Sequence, residues 1–329
     1  MALIKRKKSN NIFLISFLKA LDAKLCSDRL MEELGRAANS EQVEALLDKT
    51  LFTELIKKDS EDFFEGGRFV TSSLSWVFSI VAEYVEDVFI LPFLKSQYDC
   101  LNYLILLKEK LLEQKFSSLS SLGHYSIDQT ELIFGEEKFS SLPVHFKEAV
   151  KTAIEDYYEH KKPFLIDLAF EKALFRYRLE LIALMRSSEI EKYQRREIDL
   201  KNCITAMRLK KQGIDEELLS MFFIDGGTMS SHEFLDICHG NKKGSEKVKA
   251  IFEIEEFDED RGITEYESRS IKILQRMLGA LDTYIFGCEP VILFVKKFES
   301  QSRQISWIFQ RLSLQKISNK TGEHFRRDR

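Results

Sequence analysis

An aspartate and an asparagine three residues apart, Asp99 and Asn102, recur one hundred residues further along the chain as Asp199 and Asn202. A carboxylate only accepts hydrogen bonds, whereas a carboxamide both donates and accepts, so such a pair can satisfy backbone groups of either kind. On a helix, positions three apart are neighbours on one face. The surroundings repeat too: Tyr98 and Ile198, Leu104 and Ile204, and Leu107 and Met207 are matching apolar places. A basic residue follows each asparagine at the same distance (Lys108, Arg208), and a lysine stands two places beyond (Lys110, Lys210). Two kinds of chemistry fit. The pairs could line a surface that receives a partner, or they could bond the end of a neighbouring helix and set how the elements join. The second reading is preferred, with Asp99, Asn102, Asp199, Asn202 and Arg208 as structural or interface candidates.

Other combinations with chemical potential do not assemble. Gly240-Asn241-Lys242-Lys243-Gly244-Ser245 lacks the spacing and the Gly-Lys-Ser/Thr end of a phosphate loop, and Gly226-Gly227 has no lysine behind it. Asp258-Glu259-Asp260-Arg261-Gly262 starts like a calcium loop, but its glycine comes one place early and Arg269 stands where the last carboxylate ligand belongs. Cys238-His239 is the only adjacent Cys–His pair in the sequence, without a second pair at zinc spacing. No nucleophile elbow is present. The expectation is therefore a protein with no catalytic residue, no cofactor and no metal.

The elements that carry these residues are helical. Of 329 residues, 44% are hydrophobic and 31% charged, the proportions of a globular chain, while 14 Gly and 4 Pro leave few turns and long helices between them. A net charge of −4 gives no reason to expect nucleic acid. The five cysteines, odd in number and without a close pair, read as reduced thiols of a cytosolic protein. Glu83, Glu86 and Asp87 interrupt the most apolar region, residues 69–94, so no membrane span is expected. Lys5 to Lys8 before Ile12-Phe13-Leu14-Ile15 imitates a signal peptide, yet the helical spacing of Leu14, Phe17, Leu18, Leu21 and Leu25 favours an amphipathic first helix. The basic ends (Lys5 to Lys8; Arg326, Arg327, Arg329) read as solvated termini that could meet anionic headgroups.

In chain order, helices are expected after Ser27 or Asp28, after Ser40, from Phe69 to Ile90, through Asp99 to about Lys115, from Pro163 to about Ser188, and from Arg195 to Lys211. Others follow Ser230 or Ser231, run from Thr264 to about Phe286, and run from Pro290 to about Gln315. Ser117 to Gly123 is a serine-rich joint. Ser245 to Glu253 echoes Ser40 to Asp48, at about twice the Asp–Asn period. Two echoes at compatible offsets suggest three helical units, 1–116, 117–213 and 214–329. The third Asp–Asn position falls near Gln301 and Gln304.

With these segments in order, the chain resembles the C-type stalk subunits of archaeal and bacterial V/A-type ATPases, a family whose eukaryotic members are the d-type subunits of vacuolar ATPases. The resemblance rests on Glu197-Ile198-Asp199-Leu200-Lys201-Asn202 to Arg208 followed by Phe223-Ile224-Asp225-Gly226-Gly227, with Tyr98-Asp99-x-x-Asn102 as the first copy. Phe13 to Cys26, Leu47 to Leu55, Asp167 to Leu174, and Glu289-Pro290 with Lys297 and Glu299 follow the family's opening, central and last helices. Phe17 stands where that family usually has Arg, and Phe298, Gln301, Gln304 and Ser306 stand where it usually has Glu, Glu, Asn and Arg. The resemblance implies an all-α fold of three similar units in a pseudo-threefold, funnel-like arrangement, without a catalytic site. It implies a place on the cytoplasmic face of the membrane, between the central-stalk subunits and the membrane rotor ring, for a chain that is monomeric when isolated. The competing reading is an α-helical repeat scaffold for other cytosolic proteins.

Overall fold

The computed structural model describes residues 12–56, 67–116, 118–214, 216–258 and 262–327, with side chains described as far as residue 315. It is 78% helical and has no strand among the described residues, so the fold is all-α. In chain order the helices are α1 (Ile12–Asp22), α2 (Asp28–Gly35), α3 (Ser40–Leu47), α4 (Leu51–Ile56), α5 (Arg68–Tyr84), α6 (Ile90–Leu112), α7 (Ile127–Gly135) and α8 (Val144–His160). They continue with α9 (Phe164–Met185), α10 (Ser188–Gln212), α11 (Glu216–Leu219), α12 (Ser231–Cys238), α13 (Lys242–Phe252), α14 (Ile263–Ala280) and α15 (Glu289–Arg327). The basic run Lys5 to Lys8, Gly66, Ser117, the calcium-like residues Glu259 to Arg261 and Arg329 lie outside the described residues.

Local chemistry sets the helix ends. Ser27, Ser126, Ser187 and Ser230 cap α2, α7, α10 and α12 through their hydroxyls. Asn39, not Ser40, caps α3, because its carbonyl-bearing side chain reaches Gln42 N. Gly213 closes α10 at a φ of 61°, a conformation that glycine adopts without steric cost. Two expected helix ends are corrected. The helix expected to run from Phe69 to Ile90 stops at Tyr84, where Val85 turns extended. Pro92 sits in the first turn of α6, where its missing N–H costs nothing. The last helix runs well beyond Gln315.

The helices form two compact units. One joins the two ends of the chain, Met1–Glu86 with Ile285–Arg329. In it α15 packs against α5, α1 and α2. Its core centres on Phe298, whose ring lies 5.3 Å from Phe52 and 6.0 Å from Phe294. The other, Asp87–Tyr284, holds two clusters of the same build. Cys100, Tyr103 and Leu107 of α6 pack with residues of α7, α8 and α9. Cys203, Ala206 and Met207 of α10 pack with residues of α12, α13 and α14. All five cysteines are buried thiols.

Candidate functional site

The two Asp–Asn pairs are buried: Asn102 and Asn202 are fully enclosed, and Asp199 is 1% exposed. Asn202 donates from Nδ2 to the carbonyl of Ile224 at 2.8 Å and accepts from its N–H at 3.0 Å. Asn102 does the same to Ser120, at 2.8 and 2.7 Å. Each carboxamide thus closes a two-bond clamp on one backbone residue of the chain that follows its own helix.

Next to each clamp, the aspartate receives the turn that leads into the next capped helix. Asp199 accepts from the N–H groups of Thr228 and Met229 at 2.8 and 2.9 Å and from the Thr228 hydroxyl at 2.6 Å. Asp99 accepts from the N–H of His124 at 2.7 Å and also from that of Tyr125. The very next residues are the helix caps Ser126 and Ser230, each in a capping box with Gln129 or Glu233. A glycine lets the turn approach: a Cβ on Gly123 would stand 2.5 Å from Asp99 Oδ1, and one on Gly227 would collide with Asp199 Oδ1.

A basic residue four before each aspartate ties down the same turn. Lys95 donates to Gly123 O at 3.2 Å, and Arg195 to Gly226 O at 2.7 Å. These two residues are not among the sequence candidates, although they too stand one hundred apart. Arg208 lies outside the clamp. It pairs with Glu267, joining α10 to α14, as Lys108 pairs with Asp167 at 2.7 Å to join α6 to α9. Both ion pairs are partly exposed, so each contributes little by itself. The buried Arg178, which sequence reasoning missed, ties α9 to α6 through Ser96 Oγ at 3.0 Å and Gln97 Oε1 at 3.2 Å.

The same device recurs in the unit built from the chain ends. Gln301 of α15 accepts from the N–H of Cys26 at 3.0 Å and donates to its carbonyl at 2.7 Å. Cys26 directly precedes Ser27, the cap of α2. Lys297, four residues before Gln301, meets Asp22 at 3.4 Å. One neutral glutamine therefore makes the two-bond clamp here. Gln304, at the other matching place, is exposed and bonds Ser300 within its own helix.

The two aspartates differ in setting. Burial pushes Asp99 up to about 6, against the opposing effects of the two N–H bonds and Lys95. A carboxyl whose folded pKa is raised adds stability below its unfolded pKa, near 3.8, and loses it as pH rises through 6. Wild type should therefore gain on Asp99→Asn by about 2 kcal/mol between pH 7.5 and pH 4.5. Urea unfolding of both proteins at the two pH values measures this; a pH-independent gap would reject it.

The glycine-rich candidates have structural work. Gly240 turns the chain at a φ of 68°, and Gly244 sits so close to Asp236 that a Cβ would overlap its carbonyl. No group of three or more His, Cys, Asp or Glu residues able to hold a metal occurs among the described residues. Nor is any described helix long and apolar enough to cross a membrane.

These features define an all-α protein in which polar side chains on three long helices hold the turns that start their neighbouring short helices. A sequence profile of the ATP synthase (C/AC39) subunit family matches residues 14–320, and the chain belongs to that family of V/A-type ATPase subunits. No curated protein matches the chain.

Proposed function

We propose that the chain is the non-catalytic central-stalk subunit of a V/A-type ATPase, coupling the rotating stalk to the membrane rotor ring. The observation that carries this reading is the family match over nearly the whole chain. The clamps supply a physical reason for it. A part that transmits torque must resist shear between its helices, and buried bonds from side chain to backbone fix each turn against its long helix. A peripheral place on the cytoplasmic face of the membrane belongs to the same reading.

We also infer three similar helical units, headed by α6, α10 and α15. Cuts near 117 and 214 fall between a clamp helix and the turn it holds, so the repeat is better divided ahead of each clamp helix. The third unit then runs from α15 into α2 to α5, with both chain ends contributing.

The test is affinity isolation of the full-length tagged chain from detergent-solubilised membranes of its own cells. Stalk and rotor-ring subunits should co-purify in fixed proportion. Recovery of other cytosolic proteins without any component of the ATPase would replace this reading with a general helical scaffold.

A further inference from the structure

A partly open cavity of about 140 Å³ lies between α10, α12, α13 and α14, inside the unit Asp87–Tyr284. Met207, Ile237, Ile263 and Tyr266 make its wall apolar. An apolar cavity of roughly this size holds one benzene ring. Such a space forfeits dispersion contacts that closer packing of the same helices would recover. The turn between α12 and α13 shapes its edge. Gly240 lines the cavity at a φ of 68°, and a Cβ there would collide with Lys210 Nζ and Cε, so the lysine stem lies along the glycine backbone.

Charge indicates what the cavity takes. Lys210 and Lys211, from the last turn of α10, both line it, and no aspartate or glutamate does so among the described residues. Lysines in a last turn offset the helix dipole without any cavity. That role leaves unexplained the apolar recess which both of them border. A recess for one ring, edged by two ammonium groups, suits a small amphiphilic anion: the apolar body leaves water while the charged head meets the lysines. We propose that this cavity binds a small carboxylic acid in its ionised form, with an aromatic or short aliphatic body. The proposal concerns the isolated chain and a small molecule, and so does not depend on the ATPase reading.

Isothermal titration calorimetry of the full-length protein with phenylacetate tests it, beside phenylacetamide and acetate. Phenylacetate should bind with a Kd of about 1 mM or below. The amide, which keeps the ring and loses the charge, should bind at least about tenfold more weakly, and acetate, which lacks the ring, not measurably. Lys210→Gln with Lys211→Gln should weaken phenylacetate by about tenfold and leave thermal unfolding nearly unchanged, because both residues are exposed. Lys242→Gln with Lys243→Gln, at exposed lysines that do not line the cavity, should leave binding as it is. Ser245→Phe, at a half-buried place in the wall, should fill the space and abolish binding. If that variant fails to fold, the lysine pair decides alone. Absence of binding, or binding indifferent to the Lys210 and Lys211 changes, would overturn the proposal. Equal affinity for acid and amide would also overturn it, making the cavity a seat for an uncharged apolar group.

Discussion

Gly227→Ala should destabilise the protein by about 3–5 kcal/mol, the largest single-residue effect expected outside the apolar core. The added methyl would collide with Asp199 Oδ1 and stand 3.0 Å from its Cγ, and Asp199 itself is buried. Displacing the carboxylate breaks its bonds to Thr228 and Met229 together and leaves a buried charge without its donors. Gly35→Ala is the matched control. That glycine ends α2 with no atom within 4 Å of its would-be Cβ, so alanine there should be neutral or slightly stabilising. Guanidinium unfolding of both variants decides the matter: equal midpoints would mean that the turn is not held by Asp199.

Asn202→Leu should cost about 2–4 kcal/mol, and Asn102→Leu less, about 1–3 kcal/mol. Leucine approximates the shape of asparagine, so what is lost is chiefly the pair of bonds that satisfies a backbone N–H and C=O. Both bonds of Asn202 to Ile224 are buried, which leaves those two groups without water. The Ser120 bonds of Asn102 are only partly buried, so water can replace part of the loss. The two variants should be compared by urea unfolding, with isolation of the ATPase complex alongside. A drop in stability shared by both variants supports clamps that hold the fold. Unchanged stability with weakened association would make the pairs contact residues for a partner instead.

Much of this architecture is legible in residue types and spacing. Asp99, Asn102, Asp199 and Asn202 announce themselves because a helix repeated at a long interval keeps its polar and apolar places in register. Lys95 and Arg195 carry the same signal at the same interval, four residues upstream of each aspartate. The turns are harder to read. Ser120 to Ser126 and Ile224 to Ser230 share only a glycine and a capping serine, and they follow their aspartates at different distances. Backbone groups do the bonding there, and backbone groups leave no trace in residue type.

Helical class, the positions of the paired side chains and the caps of the short helices were determined by the sequence itself, because periodicity and capping are local and need no knowledge of distant neighbours. Tertiary structure alone decided what each pair grips. It alone showed Gln301 reaching back to Cys26 across 275 residues. A glutamine in a helix reads as an ordinary exposed amide until the segment that meets it is in place, and loop closure over such a distance leaves no mark on the residues between. The exposed side of α1 was equally undecided. Phe13 and Phe17 suit a core as well as a surface by residue type, and only the placement of Leu14 and Leu18 against their unit turned those rings outward.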